Sequence, residues 1–533
     1  MQKNRKTKII CIFGGVYSSL GKGVIAASIT RILKELKNDV EMIKLEPYLN
    51  VNSGLMSPYQ HGEVYVTHDG GETDLDLGTY ERLGGARVSA IQYITSGQVY
   101  HDIITRERAG KYNGKTIQVV PHVTNLFKEK IFDVIRIKKP AFLVIEIGGT
   151  VGDMESLPIV EALCQIQKEI GRDNFLPILC APLIHLKGTS GELKTKPCQH
   201  AYLELSKLGI KAEFLILRSE EPIGSDIYEK MQAHCHIDKN NIFLARTLPS
   251  VYFLPSELYI QKIHRQIYRF FNLKLNPHAN INHWNTYING IKKIHRTITI
   301  GMVGKYMELH DSYSSVIEAL RLAGWECKVN VEIKWIQSDP INDQNVKTIL
   351  RGVDGIIVPG GFGGRGTDGI ICAIKYARIN HLPFLGICYG MQLATIEFAT
   401  NVLKMKGANS TEINPKTKYP IFDYIDGRMR LGEQLCVIND QTTLAYQIYG
   451  KQFVPQRHRH RWEFNNRYLK QFHDAGYLIS AHSNDKERTA EMAELKKHPF
   501  FFGVQFHPEF SSHPLANDQS FVHLIKAAIK HHH

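Results

Sequence analysis

The pentapeptide GICYG, residues 386–390, closes the apolar run LPFLGI and precedes a helical pattern, QLATIEFA. A Gly-x-nucleophile-x-Gly at a strand-to-helix junction forces a sharp turn that projects the central side chain, here Cys388. At a helix N-terminus the dipole stabilises thiolate and lowers a pKa normally near ~8.5. A thiolate nucleophile also needs a base and an oxyanion hole. QFHPEF supplies His507 and, two residues on, Glu509, which can orient the imidazole. PGGFGGRG (359–366) follows another strand, with Gly360 and Gly361 as candidate amide donors. A lone cysteine is more often an inert buried thiol. Three such elements, each at a strand end, point instead to acyl transfer.

A second constellation opens the chain. GGVYSSLGKG (14–23) follows the apolar run Ile9–Phe13 and precedes a helical pattern, as a phosphate-binding loop does. It departs from G-x-x-x-x-G-K-[ST], because Gly23 follows Lys22 and the spacing from Gly15 to Gly21 is one residue too long. The glycines let backbone amides approach phosphate oxygens, Lys22 adds a point charge, and Ser18 and Ser19 offer hydroxyls. The missing Ser/Thr removes the usual hydroxyl ligand to magnesium. Magnesium takes one or two carboxylates plus phosphate oxygens. Asp76, in ETDLDLG, and Glu146, at the end of LVIEI, would complete such a site. Asp74 reads as part of a solvated acidic loop.

Positioning these groups requires α/β units. Residues 8–270 alternate short apolar runs with helical patterns, the sign of parallel strands. The expected strands are KIICIF (8–13), VEMIKL (40–45), TIQVVP (116–121), AFLVIEI (141–147), LPILCAP (176–182) and EFLILRS (213–219). Residues 272–296 lose the rhythm and read as a polar linker. A second α/β series starts at TITIGMVGKY (297–306). The expected organisation is 1–271, linker 272–296 and 297–533, with both domains doubly wound.

At 533 residues the chain exceeds one ordinary core. No apolar stretch approaches the ~20 residues that span a bilayer, so no membrane partner is expected. The basic-then-apolar N-terminus reads as a first buried strand of a cytoplasmic protein. The closing HHH is set aside as the kind of run a purification tag leaves. Nine cysteines without a C-x-x-C pair signal neither a zinc site nor a disulfide framework. A net charge of +13 suits nucleic acid or a nucleoside triphosphate and does not choose between them.

Residues 297–525 resemble the class I, triad-type glutamine amidotransferases. The resemblance implies glutamine hydrolysis through a γ-glutamyl thioester, with Cys388 as nucleophile, His507 as acid and base, and Glu509 as orienter. Four further blocks, GGVYSSLGKG, SPYQHGEVYVTHDGGETDLDLGTYER (57–82), EIGGTVGDMESLP (146–158) and GELKTKPCQH (191–200), are similar to the synthetase domain of the CTP synthase family. KYMELHDSYSSVIEAL (305–320), GANSTEI (407–413) and RHRHRWEFN (457–465) match that family in the second half. The implied first fold is P-loop NTPase-like, of the dethiobiotin-synthetase type. The implied reaction is ATP-dependent amination of UTP to CTP through a 4-phosphorylated UTP.

Carried over by motif, the ATP loop is Ser19, Leu20, Gly21, Lys22, Gly23 and Val24, with Arg246, Thr247 and Leu248 near the adenine. Asp76 and Glu146 hold magnesium, and Lys44 lies near the transferred phosphate. UTP, or CTP as product inhibitor, falls on Ser18, on Asp153, Met154 and Glu155, on Lys194, Thr195, Lys196, Pro197, Cys198 and Gln199, and on Lys230. Glutamine falls on Gly361, Tyr389, Gly390, Met391, Gln392, Glu412 and Arg461. A carboxylate can pair with its ammonium and an arginine with its carboxylate. The resemblance further implies GTP as activator and a homotetramer, which is compatible with filaments.

Departures are Tyr17, Glu46 and Asn52, Tyr389 in place of a leucine-like residue, Gln456 in place of Glu, and Arg246, Thr247 and Leu248 in place of Lys-Asp-Val. None removes a catalytic group. Competing readings are a cobyrinate-synthase-like amidotransferase, which lacks the KTKPCQ and DLDLGTYER blocks, and a partitioning-type DNA-binding ATPase. The latter leaves the triad unexplained, so no nucleic-acid partner is expected.

Overall fold

Hydrophobic residues on both faces of KIICIFG make strand β1 (Lys8–Gly14) a buried central strand in the computed structural model, which describes residues 6–185, 193–424 and 429–532. Gly191 and Glu192 of the GELKTKPCQH block, the first five residues and His533 lie outside the described residues. The first sheet continues with β2 (Val40–Glu46), β3 (Tyr93–Thr95), β4 (Phe142–Ile147), β5 (Phe175–Pro182), β6 (Phe214–Ser219) and β7 (Ile242–Arg246). Its order is β7-β6-β5-β1-β4-β2-β3, and every pair is parallel. Parallel neighbours need crossover connections, here helices such as Lys22–Glu35, Thr124–Lys138 and Leu157–Ile170. The chain leaves β1 toward β2 on one side and reaches β5 on the other. Such a reversal opens a crevice at the carboxyl ends of the central strands.

Two expectations for this half are corrected. TIQVVP is not a strand: Pro121 cannot donate to a ladder, Val119 and Val120 are exposed, and the segment leads into the helix Thr124–Lys138. Within 272–296 a helix, Asn282–Ile291, replaces part of the expected linker. Ile281, Trp284 and Ile288 recur at helical spacing and are buried. The Trp284 indole donates to the Tyr252 carbonyl at 3.2 Å, and the Arg31 guanidinium lies 4.6 Å from its ring centre.

The chain divides into two compact units, Met1–Met56 with Asp76–Gly290, and Ser57–Leu75 with Ile291–His533. The short segment 57–75 therefore folds with the second unit, although the sequence sets it in the first half. It carries only two-residue strands, Tyr65–Val66 and Glu72–Thr73, too short to announce a partner.

The second unit is built on β8 (Thr297–Gly304), β9 (Asn330–Gln337), β10 (Gly355–Val358), β11 (Phe384–Ile387), β12 (Arg430–Ile438), β13 (Phe453–His460), β14 (Tyr477–Ser483), β15 (Ala490–Leu495) and β16 (Phe501–Val504). Their order is β9-β8-β10-β11-β16-β15-β14-β12-β13. Pairs from β9 to β16 are parallel and the rest antiparallel. The doubly wound expectation thus holds for one side of this sheet. Among the described residues, connections beyond Phe422 lack the full crossover helices that parallel pairing demands. Helices Thr367–Ile379 and Tyr389–Asn401 pack with one hydrophobic core, and Ser314–Glu326 and Gln519–His531 with another.

Candidate active sites

In the first unit β1 ends in the glycine loop, and the helix Lys22–Glu35 starts after Gly21 with no side-chain cap and no acidic residue in its first turn. Its first amides and the positive dipole end are therefore offered to an anion. Lys22 is buried, and its Nζ donates to the Gly149 carbonyl at 2.6 Å. Val16 and Ser19 both adopt positive φ, 79° and 60°, which for a β-branched residue such as Val16 is an outlier held by its surroundings.

Gly23 explains the broken motif. A Cβ built there would lie 3.0 Å from Asp76 Oδ1 and 3.2 Å from Glu146 Oε2. The two carboxylates occupy the space that a serine or threonine hydroxyl would fill. Both also face Lys44, whose Nζ lies 2.5 Å from Asp76 Oδ2, 3.0 Å from Glu146 Oε1 and 3.1 Å from Glu46 Oε1. Burial pushes the Lys44 ammonium down, but Asp76, Glu146 and Glu46 outweigh it and hold it well above its ordinary value. Burial, helped by Asp76 and opposed by Lys44, raises the Glu146 carboxyl. The Tyr80 hydroxyl donates to Glu146 Oε2. Sequence reasoning noted Glu46 only as a departure and missed Tyr80. A charged residue at a strand's carboxyl end was the available signal for Glu46.

The expected uridine-nucleotide residues stand on separate elements. Ser18 is exposed in the glycine loop, and Met154 and Glu155 are exposed beyond it. Both Asp153 oxygens accept from Thr150, at 2.7 Å from its amide and 2.8 Å from its hydroxyl. Lys194, half-buried, precedes the helix Lys196–Lys207, Lys196 and Pro197 open it, and Lys230 is exposed on the helix Ser225–Cys235. Thr195 is buried and accepts from Gln199 Nε2 at 3.1 Å. The Cys198 thiol is wholly buried in the core. Arg246 pairs with Glu257 at 3.2 Å, beside Thr247 and Leu248 at the end of β7.

In the second unit the nucleophile turn is built as its glycines require. Cys388 has φ 48° and ψ −99°, a conformation that other residues avoid, and caps the helix Tyr389–Asn401. A Cβ on Gly390 would come within 2.2 Å of the Val358 carbonyl oxygen. His507 Nδ1 is 2.7 Å from Glu509 Oε1, which leaves Nε2, buried and otherwise unpartnered among the described residues, for the thiol. Burial lowers the imidazole, yet Glu509 and Cys388 outweigh it and raise its pKa to about 10. Gln505 Nε2 donates to Cys388 Sγ at 3.6 Å, a contact the sequence did not suggest. Cys388, His507 and Glu509 meet at a cavity of about 300 Å³ lined also by Gly360, Gly361, Tyr389 and Lys305. Glu412 lies behind the glycine loop, accepting from the Gly363 amide at 2.9 Å, and burial raises its carboxyl. Gly390, Met391 and Gln392 are buried inside the helix, and Arg461 is exposed at the turn after β13.

The segment Ser57–Leu75 straps this site. Tyr59, Glu63 and Val64 line the cavity. Glu63 accepts from the Ser315 amide at 3.0 Å and its hydroxyl at 2.5 Å. Tyr65 takes a hydrogen bond from Arg457 at 2.8 Å and packs on Phe510, which stacks on His507. Arg459 bonds Glu72 at 2.9 Å. Two arginines of RHRHR thus hold the strap rather than a polyanion. The alternate histidines turn inward, and His458 bonds Glu491 at 2.8 Å and the Gln456 carbonyl at 3.0 Å. Cys436, His458 and Glu491 approach within 4.8 Å, but Arg430, 2.5 Å from Glu491, supplies the cation there. Gln456 donates to Asp518 at 2.6 Å, where a glutamate would face that carboxylate with a like charge.

Comparison with known proteins matches residues 8–273 to the family model described as the CTP synthase N-terminus, and residues 308–527 to the class-I glutamine amidotransferase model. The CTP synthase of Bacillus subtilis (strain 168) is 44% identical, covering 98% of this chain and 99% of its own length. That of Caldanaerobacter subterraneus subsp. tengcongensis is 45% identical, covering 98% of each. Among solved structures, the Trypanosoma brucei CTPS glutaminase domain with bound acivicin is 34% identical, with a TM-score of 0.42. It covers 44% of this chain and 94% of that one. Among the described residues no helix is long and apolar enough to cross a membrane.

Proposed function

The chain belongs to the CTP synthase family and is a glutamine-dependent ligase that uses ATP, and on that premise we propose how its own residues divide the reaction. In the first unit the glycine loop and the first turn of Lys22–Glu35 bind the ATP phosphates, with Lys22 adding charge. The γ-phosphoryl group passes to O4 of UTP. Ammonia then attacks C4, and the C4–O bond breaks to release phosphate. Lys44 steadies the charge on the phosphoryl group in transit.

Asp76 and Glu146 fit a magnesium ion, because Lys44 pairs with Asp76 Oδ2 and Glu146 Oε1 while Asp76 Oδ1 and Glu146 Oε2 turn toward Gly23, at the helix end that receives phosphate. Such an ion, bound with ATP, neutralises phosphate charge. Ser18, Asp153–Glu155, Lys194–Gln199 and Lys230 border the uridine nucleotide. For Cys198 the contact is backbone only.

In the second unit Cys388 attacks the glutamine γ-carbonyl, and the Gly360 and Gly361 amides hold the oxyanion. His507, oriented by Glu509, passes a proton to the departing ammonia, and water then opens the thioester. Glu412 and Arg461 select the amino-acid end of glutamine. GTP as activator, a homotetramer and a cytoplasmic setting complete the reading.

The observation that carries this account is Gly23 pressed against Asp76 and Glu146, a phosphate loop whose hydroxyl ligand is exchanged for carboxylates. The test is UTP labelled with ¹⁸O at O4, with ATP, magnesium and ammonium. Label recovered in inorganic phosphate supports the phosphorylated intermediate, and label lost to water refutes it. Native mass measurement with ATP and UTP should show four chains, and a monomer there would sink the tetramer.

A further inference from the structure

Tyr389 directly follows the nucleophile, where the resemblance gives a leucine-like residue. Its ring is 2% exposed and lies against the glycine loop, so that a Cβ on Gly361 would touch it at 3.5 Å. The phenol donates to the Gly363 carbonyl at 2.6 Å and accepts from Lys305 Nζ at 3.1 Å. The same ammonium donates to the Phe362 carbonyl at 2.8 Å and to that of Gly363, and sits 4.4 Å from the Tyr389 ring centre. Thr367 donates to the Gly364 carbonyl at 2.6 Å and lies 3.3 Å from the phenol.

Three successive carbonyls of the loop are thus tied down, while the Gly363 amide is held by Glu412 at 2.9 Å. Each planar peptide points its amide opposite its carbonyl, so fixing these planes fixes the run of the loop before them. Among the described residues the Gly360 and Gly361 amides make no hydrogen bond of their own.

We infer that Tyr389 is a positioning residue whose phenol, together with Lys305, locks the 360–364 loop so that the Gly360 and Gly361 amides are preset for the oxyanion. This rests on the glutaminase reading proposed above. Donors fixed in advance stabilise a developing charge without reorganisation, which is where such sites gain most. A leucine packs in the same space but offers no donor to Gly363 and no acceptor to Lys305. Burial pushes the phenol up to about 12, so it remains a donor throughout the working pH range.

Tyr389→Phe and Tyr389→Leu in the full chain test this. Three rates are read on each preparation: glutamine hydrolysis, Cys388 alkylation by iodoacetamide, and CTP formation from ammonium. Iodoacetamide reacts at a saturated carbon and needs no oxyanion hole. Tyr389→Phe keeps the ring and the backbone that glutamine would meet, so it is expected to lower the hydrolytic kcat about tenfold with little change in KM, and Tyr389→Leu at least as much in kcat. Alkylation and ammonium-driven synthesis should keep their wild-type rates.

Wild-type kcat in Tyr389→Phe overturns the inference. So does a matching fall in alkylation, which would put the effect on the thiolate, or in ammonium-driven synthesis, which would put it on folding. Absence of glutamine hydrolysis in the wild-type chain would instead overturn the glutaminase reading itself.

Discussion

Lys44 and Cys388 are buried to similar extents, 3% and 6% exposed, yet their surroundings have little in common. Lys44 is ringed by Glu46, Asp76 and Glu146, with Tyr80 and Lys22 close behind. The Cys388 backbone is gripped by other backbone: the Val504 carbonyl accepts its amide at 2.6 Å, and glycines at 386 and 390 leave no room for a side chain. The first site is a set of converging charges. The second is a shape that holds one atom in a strained conformation. Substitutions that alter charge without volume should therefore separate from those that alter volume without charge.

Glu146→Gln removes charge and leaves shape. It should lower CTP formation from both glutamine and ammonium by about 10³-fold, while iodoacetamide still alkylates Cys388 at the wild-type rate. Retained synthesis would break the comparison. Gly390→Ala adds one methyl group 2.2 Å from the Val358 oxygen. Glutamine hydrolysis should fall about 10²-fold, with ammonium-driven synthesis retained. Full hydrolytic activity would show that the turn tolerates volume.

Gly23→Ser restores the Walker residue, yet its Cβ would meet both carboxylates within 3.2 Å. The expected result is about a tenfold loss of ATP-dependent synthesis, rather than a gain. An improved enzyme would mean that the carboxylates yield to a hydroxyl ligand.

The smallest effect is a pH slope. The His507 pKa, raised to about 10 because Glu509 and Cys388 outweigh burial, exceeds its unfolded value of ~6.5. The stability it contributes is complete below pH ~6.5 and is lost as pH rises through about 10. In Glu509→Gln only Cys388 is left to oppose burial, so that slope should shrink in urea titrations across this window. An unchanged slope would remove Glu509 as its cause.

The nucleophile turn was legible because its geometry is local: five consecutive residues carry both the strain and the glycines that permit it. The order PGGFG, GICYG, QFHPE was legible because each lies where a buried strand ends. Asp76 and Glu146 were legible as acidic residues near such ends, but their approach to Gly23 was not, since nothing local records what a missing Cβ avoids.

The strap was invisible for the same reason. Tyr65 and Arg457 meet across almost 400 positions, and neither sits in a pattern that names its partner. RHRHR showed its basic character, but only the period-two alternation of β13 assigns arginines to the strap and histidines to the interior. Trp284 and its two isoleucines were at helical spacing within a segment whose Asn and Lys content masked them. TIQVVP failed in the opposite sense, as apolar composition without a core to face.

The central claim is two sites in one chain, one making ammonia and one consuming it. It is tested most directly by Cys388→Ala beside the wild type, with UTP, ATP and magnesium, supplied with either glutamine and GTP or an ammonium salt. The account predicts that the variant loses glutamine-driven CTP by at least about 10³-fold and keeps ammonium-driven CTP near wild type. Equal loss from both nitrogen sources, or retained use of glutamine, would contradict it.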